Sequence, residues 1–99
     1  MLVHSVFFWL RDDLTDEQRA AFSFGVDTLA TIDSAAAVYI GTPADTKKRP
    51  VVDDSYDIGL TVVAEDVAAH DAYQVHPIHT AFVDEFKTYW DRVTIYDVY

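Results

Sequence analysis

The chain has 99 residues, of which 51% are hydrophobic and 14% aromatic, and its formal net charge is −10. A chain of this length has room for one hydrophobic core, and its apolar fraction predicts further apolar surface that lines a pocket or is buried in an interface. The negative charge repels phosphate groups, so nucleic acid and anionic membrane surfaces are not expected partners. The absence of cysteine excludes disulfides and thiolate chemistry.

The start of the chain has no features of a targeting segment. Residues 1–4, Met-Leu-Val-His, carry no charged region and lead into no long apolar stretch. No run in the chain approaches the ~18–20 apolar residues of a membrane span. A cytoplasmic protein with one domain, residues 1–99, is therefore the expectation.

Two strands and one helix are predicted in the first 41 residues. Residues 2–10 alternate between two sets that are both mostly apolar, which predicts a strand covered on both faces. Residues 15–18, Thr-Asp-Glu-Gln, have the form of a capping box. The apolar residues within 22–32 are spaced by three and four, which predicts a helix with one apolar face. Residues 36–40 predict a second strand.

Two further strands and a broken helix are predicted in the rest of the chain. Residues 42–54 are charged and rich in turn formers, which is typical of a loop. Alternation in residues 56–64 predicts the third strand, and residues 93–98 the last one. A short helix is expected over 66–75, and a second one, starting at Pro77, over 77–91.

The order of these elements predicts an α+β protein with the ferredoxin-like, or split βαβ, fold. Such a fold has a four-stranded antiparallel sheet with its helices on one face. The set of the first strand that contains Phe7 and Trp9 would then lie on the open face, where monomers rarely expose an apolar patch. A two-fold homodimer packed sheet to sheet is the simplest cover for it.

Tyr73, His76 and His79 lie within seven positions, around Pro77. His79 falls in the first turn of the last helix, in register with its apolar face. Burial and the positive end of the helix dipole both favour a neutral ring there, which can accept a proton near neutral pH. The phenol of Tyr73 can donate a hydrogen bond to an oxygen on which negative charge develops.

A space between the helices and the sheet is the expected place for a ligand. His4 belongs to the alternating set of the first strand that contains Val6 and Phe8, and it points into this space if that set faces the helices. The predicted walls are Val6, Phe8, Phe22, Val26, Phe82 and Phe86. Such walls favour a small, mostly apolar ligand with a carbonyl or phenolic oxygen.

Three segments carry a resemblance to a known family. Residues 4–10, HSVFFWL, residues 73–82, YQVHPIHTAF, and residues 93–97, VTIYD, resemble the stress-responsive A/B barrel domain (Dabb) family. The resemblance covers nearly the whole chain and implies a ferredoxin-like fold in a dimeric α+β barrel. Most members of this family have no assigned activity.

One branch of that family closes linear polyketides by aldol chemistry without a cofactor. Similarity to this branch implies that Tyr73 and His79 are the catalytic residues. It also implies that His4 and His76 are histidines of the ligand pocket. No cofactor is expected on this basis.

Three functional interpretations stay open. The chain is a homodimer that binds a small apolar ligand or has a structural or stress role, or it is a cofactor-free enzyme of the cyclase or lyase type, or it has a metal-dependent role. A metal site is not expected, because His76 and His79 lie on either side of Pro77 and need not converge. The acidic residues within 53–57 are more typical of a charged loop than of a cation site.

Overall fold

The computed structural model describes all residues from 1 to 99. The four strands are β1 (Leu2–Leu10), β2 (Ala37–Gly41), β3 (Ile58–Ala64) and β4 (Trp90–Val98). The three α-helices are α1 (Asp16–Thr28), α2 (Val67–Val75) and α3 (Pro77–Phe86). The strands form one sheet in the order β2-β3-β1-β4, and every neighbouring pair is antiparallel. This arrangement confirms the predicted ferredoxin-like fold. None of the helices combines the length and apolarity needed to cross a membrane.

The main difference from the predicted elements lies at the end of α3. The helix ends at Phe86 instead of continuing to Asp91, and β4 begins at Trp90. The apolar spacing that predicts a helix continues to Trp90, but Trp90 pairs with Leu10 of β1 and belongs to the sheet. Helix α1 is shorter than predicted as well, because a 3-10 turn, Leu29–Thr31, follows it.

The predicted starts of α1 and α2 are confirmed, because the expected side chains cap both helices. The Thr15 side chain accepts a hydrogen bond from the Gln18 amide at 3.1 Å, and the Gln18 side chain accepts one from the Thr15 amide at 2.8 Å. Asp66 caps α2 by accepting a hydrogen bond from the Ala69 amide at 2.8 Å. These bonds pair amides that have no partner within the first turn of a helix.

The hydrophobic core lies between the sheet and the helices. The alternate residues of β1 that face it are Leu2, His4, Val6, Phe8 and Leu10, and all of them are buried. Phe22 and Val26 of α1 are fully buried opposite this face, and Val62 of β3, which pairs with His4, is fully buried on it. The predicted orientation of the His4 set toward the helices is therefore confirmed.

The opposite face of the sheet carries no helix. We call it the open sheet face and define it by its larger side chains, which are Val3, Phe7, Trp9, Tyr39, Tyr56, Val63, Tyr96 and Val98. Tyr39, Tyr96 and Val98 are each more than 60% exposed. Phe7 and Trp9 are half-buried, because Tyr56 packs against both rings and the Arg92 guanidinium lies 4.0 Å from the ring centroid of Trp9.

Candidate functional site

A cavity of about 240 Å³ lies between the sheet and helices α2 and α3. Ten of its 13 lining residues are hydrophobic, and none is a lysine or an arginine. His4, Tyr73 and His79 all line it. The fold thus brings His4 of β1 together with Tyr73 and His79, which are far from it in the sequence, in one apolar space on the helix side of the sheet.

Tyr73 is the most buried polar residue of the cavity. Its side chain projects from α2 and is completely buried, and its hydroxyl has no hydrogen-bond partner. Burial disfavours the charged phenolate and raises the pKa of Tyr73 to about 12. Tyr73 is therefore a neutral phenol at physiological pH, with a hydrogen-bond donor that has no partner within the chain.

His79 lies beside Tyr73, with ring centroids 5.0 Å apart in an edge-to-face arrangement. Its pKa is lowered, chiefly by burial and then by its proximity to His4. The backbone of Gln74 acts on this pKa in the opposite direction. The ring is therefore neutral at pH 7, and its unprotonated nitrogen can accept a proton.

His4 is held by a carboxylate on the neighbouring strand. Asp97 is opposite His4 in the β1–β4 register, and its Oδ1 lies 2.5 Å from His4 Nδ1. The His4 ring is 6.2 Å from the Tyr73 ring and 4.9 Å from the His70 ring, measured between centroids. Asp97 fixes the orientation of the His4 ring, a role that sequence spacing does not indicate, because the two residues are 93 positions apart.

His76, which the resemblance placed in the pocket, does not line the cavity. Its side chain caps α3, because its Nδ1 accepts a hydrogen bond from the Ile78 amide at 3.1 Å. Pro77 occupies the first position of the helix and has no amide hydrogen, so the Ile78 amide is one of the donors that need a partner. The structure thus gives His76 a capping role.

The predicted walls are partly in place. Val6, Phe8 and Phe82 line the cavity, whereas Phe22, Val26 and Phe86 are packed in the adjoining core. Phe22 packs against the rings of Phe8, Phe82 and Phe86 at centroid distances of 5.2–5.7 Å, which fills the space next to α1.

Strand β4 supplies walls that the sequence analysis did not include. Val93 and Ile95 line the cavity because they pair with Phe8 and Val6 of β1 and so share their face of the sheet. They are 39% and 49% exposed, since β4 is an edge strand that the helices do not cover. The cavity therefore opens to solvent along β4.

The histidines around Pro77 and the acidic residues within 53–57 do not form a metal-binding cluster. In the acidic loop, Asp53 accepts hydrogen bonds from Ser55, and Asp54 forms an ion pair with Lys48. Potential ligand atoms do lie close together in another group, which consists of His4, His70 and Asp97. No sequence motif signals this group, because β1, α2 and β4 contribute one residue each.

Comparison with known sequences identifies one family. The family model described as Stress responsive A/B Barrel Domain matches residues 2–99. Olivetolic acid cyclase from Cannabis sativa is 25% identical over 95 residues, which covers 95% of this chain and 91% of the relative.

Two solved structures illustrate the similarity of fold. A dimeric ferredoxin-like protein of unknown function from Thermobifida fusca has a TM-score of 0.77 and 18% identity, covering 98% of this chain and 88% of its own. The hydroxynitrile lyase from Passiflora edulis also has a TM-score of 0.77 and 18% identity, covering 98% and 90%. At this identity the similarity establishes the shared fold.

Proposed function

The chain belongs to the stress-responsive A/B barrel (Dabb) family, and we propose that its cavity binds a small, mostly apolar molecule with a carbonyl or phenolic oxygen. The observation that carries this proposal is the Tyr73 hydroxyl, which is buried without a hydrogen-bond partner. A buried hydroxyl in this state costs about 1–3 kcal/mol. An oxygen acceptor on a ligand removes that cost when it binds.

The lining of the cavity restricts the ligand further. No lysine or arginine lines it, so a phosphate would enter without a balancing charge. Its volume of about 240 Å³ is below the roughly 300–1,000 Å³ of pockets for drug-sized ligands. A compound with one ring fits this volume, and an alkyl chain can extend through the opening along β4.

Acetophenone and ethylbenzene test the proposal, because they have similar shapes and only the ketone carries an oxygen. Each is titrated into the protein while backbone amide resonances are followed by NMR. We expect the ketone to bind roughly 3–10-fold more tightly, which corresponds to one net hydrogen bond. The shifts should centre on residues that line only this cavity, such as Val83 and Ile95.

Two results contradict ligand binding in this cavity. One is the absence of saturable shifts with either compound. The other is saturation with shifts confined to the separate groove between α1 and α3, which is lined by Phe24 and Ile78. Either result favours a structural role for the domain.

We propose, as a second candidate, cofactor-free acid–base chemistry of the cyclase or lyase type in the same cavity. It is favoured by the position of a neutral histidine, His79, next to a neutral phenol, Tyr73. His79 accepts a proton from a carbon next to a carbonyl, and Tyr73 donates a hydrogen bond to the carbonyl oxygen as it becomes negative. The relatives named as a cyclase and a lyase support this class of chemistry.

Exchange of the methyl protons of acetophenone in D₂O tests this step without knowledge of the natural substrate. His79 removes a methyl proton to give the enolate, and a deuteron from solvent then returns to the same carbon. We expect the protein to accelerate the loss of the methyl proton signal and His79→Gln to reduce the acceleration about 10²–10⁴-fold. Exchange at the buffer rate, or full exchange by His79→Gln, contradicts a role for His79 as the base.

We also propose that two copies of the chain pair through the open sheet face. This face presents a contiguous group of large apolar side chains that no element of the chain covers, and monomers seldom expose such a patch. The similar protein from Thermobifida fusca is described as dimeric. A two-fold axis through the sheet would cover the same patch on both copies.

Sedimentation of Trp9→Glu tests this interface. The substitution replaces an apolar ring by a carboxylate at two symmetric places in the interface, so we expect the wild type to be a dimer at micromolar concentration and Trp9→Glu to be a monomer. Phe24→Glu is the matched control, because Phe24 is 73% exposed on α1, on the helix side of the molecule. A monomeric wild type, or a dimer that survives Trp9→Glu, excludes pairing through this face.

A further inference from the structure

We propose that His4, His70 and Asp97 form a binding site for one divalent transition-metal ion, with Zn²⁺ as the representative ion. Each residue offers one ligand atom, and these atoms all lie within 4.8 Å of one another. Two imidazoles and one carboxylate are a donor set that zinc and its neighbours bind well. The site does not depend on a ligand in the cavity.

The geometry needs only small movements to accept an ion. Ligand atoms around a tetrahedral zinc, bound at 2.0–2.2 Å, lie roughly 3.3 Å apart. His4 Nδ1 and Asp97 Oδ1 are now 2.5 Å apart, so they separate slightly, while His70 moves inward. Asp97 is 46% exposed at the end of an edge strand, so its side chain has room for this adjustment.

His70 has the hydrogen-bond arrangement of a metal ligand. Its Nδ1 lies 3.3 Å from the carboxylate of Asp71, whereas its Nε2 is buried without a hydrogen-bond partner. Histidines that bind metals usually donate one ring nitrogen to a carboxylate or carbonyl and bind the ion with the other. An ion bound at Nε2 therefore gives a partner to an atom that otherwise has none.

Charge and access also favour a cation. The three ligands carry one negative charge when both histidines are neutral, and the chain as a whole has a net charge of −10. Such a field attracts divalent cations. The carboxylate of Asp97 is reached from solvent, which provides an entry path. Three protein ligands leave one coordination position for water or another small molecule.

Calorimetric titration of the metal-free full chain with ZnCl₂ tests the site, and titration with CoCl₂ followed by absorption reports its geometry. We expect one ion per chain and the visible absorption of tetrahedral cobalt. His70→Gln and Asp97→Asn are the test variants, and both positions are outside the fully buried core. Each should weaken binding at least ~100-fold, because even the partners of metal ligands typically contribute 10–100-fold.

His76→Gln is the matched control, because it removes a histidine that lies outside the cluster. It should bind zinc like the wild type, and circular dichroism should show that all variants are folded. The proposal is wrong if the wild type shows no saturable binding with one ion per chain. It is equally wrong if His70→Gln and Asp97→Asn bind as tightly as the wild type, or if His76→Gln alone loses the ion.

Discussion

Removing the hydroxyl of Tyr73 should stabilise the protein. Tyr73 is completely buried and its hydroxyl has no hydrogen-bond partner, so the folded state carries the cost of removing this group from water. Mutational data place that cost at about 1–3 kcal/mol. Tyr73→Phe deletes the hydroxyl and keeps the ring that packs against His79.

The opposing effect of the substitution is small. The missing oxygen adds a void of roughly 12 Å³, which at ~24 cal/mol per Å³ costs about 0.3 kcal/mol. We therefore expect the free energy of unfolding to rise by about 1 kcal/mol. For a domain of this size, that change raises the melting temperature by roughly 4–8 °C.

Thermal and urea unfolding measure this difference, at one fixed protein concentration because pairing of two copies, as we propose, would make stability depend on concentration. Tyr99→Phe is the control, since Tyr99 is 79% exposed and is not among the residues of the open sheet face, so its substitution should change stability by less than ~0.5 kcal/mol. If the free energy of unfolding of Tyr73→Phe is instead lower than that of the wild type by about 1 kcal/mol, the reasoning is refuted. A decrease of that size is expected when the deleted hydroxyl already has a hydrogen-bond partner.

Two further predictions concern His79 and the packing of α1. The pKa of His79 lies below 6.5 in the folded protein. Below about pH 6.5 the ring therefore binds a proton more readily in the unfolded chain than in the folded one. The free energy of unfolding should fall as the pH drops through this range. Unfolding measured from pH 7.5 to 5 should show a smaller loss in His79→Gln, and equal losses in both proteins would contradict the lowered pKa. Gly25→Ala should lower stability by about 1–2 kcal/mol, because a Cβ there would lie 2.3 Å from a ring carbon of Phe86. Gly41→Ala is the control, because no atom lies within 4 Å of the new Cβ, and it should hardly change the melting temperature. Similar melting temperatures for the two variants would contradict the prediction, because they would show that α1 and α3 move apart freely.

The sequence was sufficient to predict the fold because its local signals agree with the final topology. The alternation in residues 2–10 predicts both the buried set and the set on the open sheet face. The capping box at Thr15 and the break at Pro77 place the starts of two helices correctly. The end of α3 was not predictable in this way, because Trp90 continues the helical apolar spacing but pairs with Leu10 in the sheet.

The site was less predictable because its partners meet through strand pairing. His4 and Tyr73 could be placed in one space from the orientation of β1, but Asp97 faces His4 only through the β1–β4 register. The same pairing brings Val93 and Ile95 to the cavity, whereas Phe22 and Val26 pack in the core. His76 is adjacent to Pro77 in the sequence, and its capping bond to Ile78 appears only when the backbone of α3 is known.

The proposed function depends above all on a hydrogen bond from Tyr73 to an oxygen of the bound molecule. This hydrogen bond is measured most directly by the ¹³C resonance of acetophenone labelled at the carbonyl carbon, in the presence of wild-type protein and of Tyr73→Phe. A hydrogen bond to the carbonyl oxygen withdraws electron density from the carbon. We predict a downfield shift on binding to the wild type, relative to the ketone in an apolar solvent, and the loss of that shift in Tyr73→Phe. The same downfield shift with both proteins, or none with the wild type, would contradict the account.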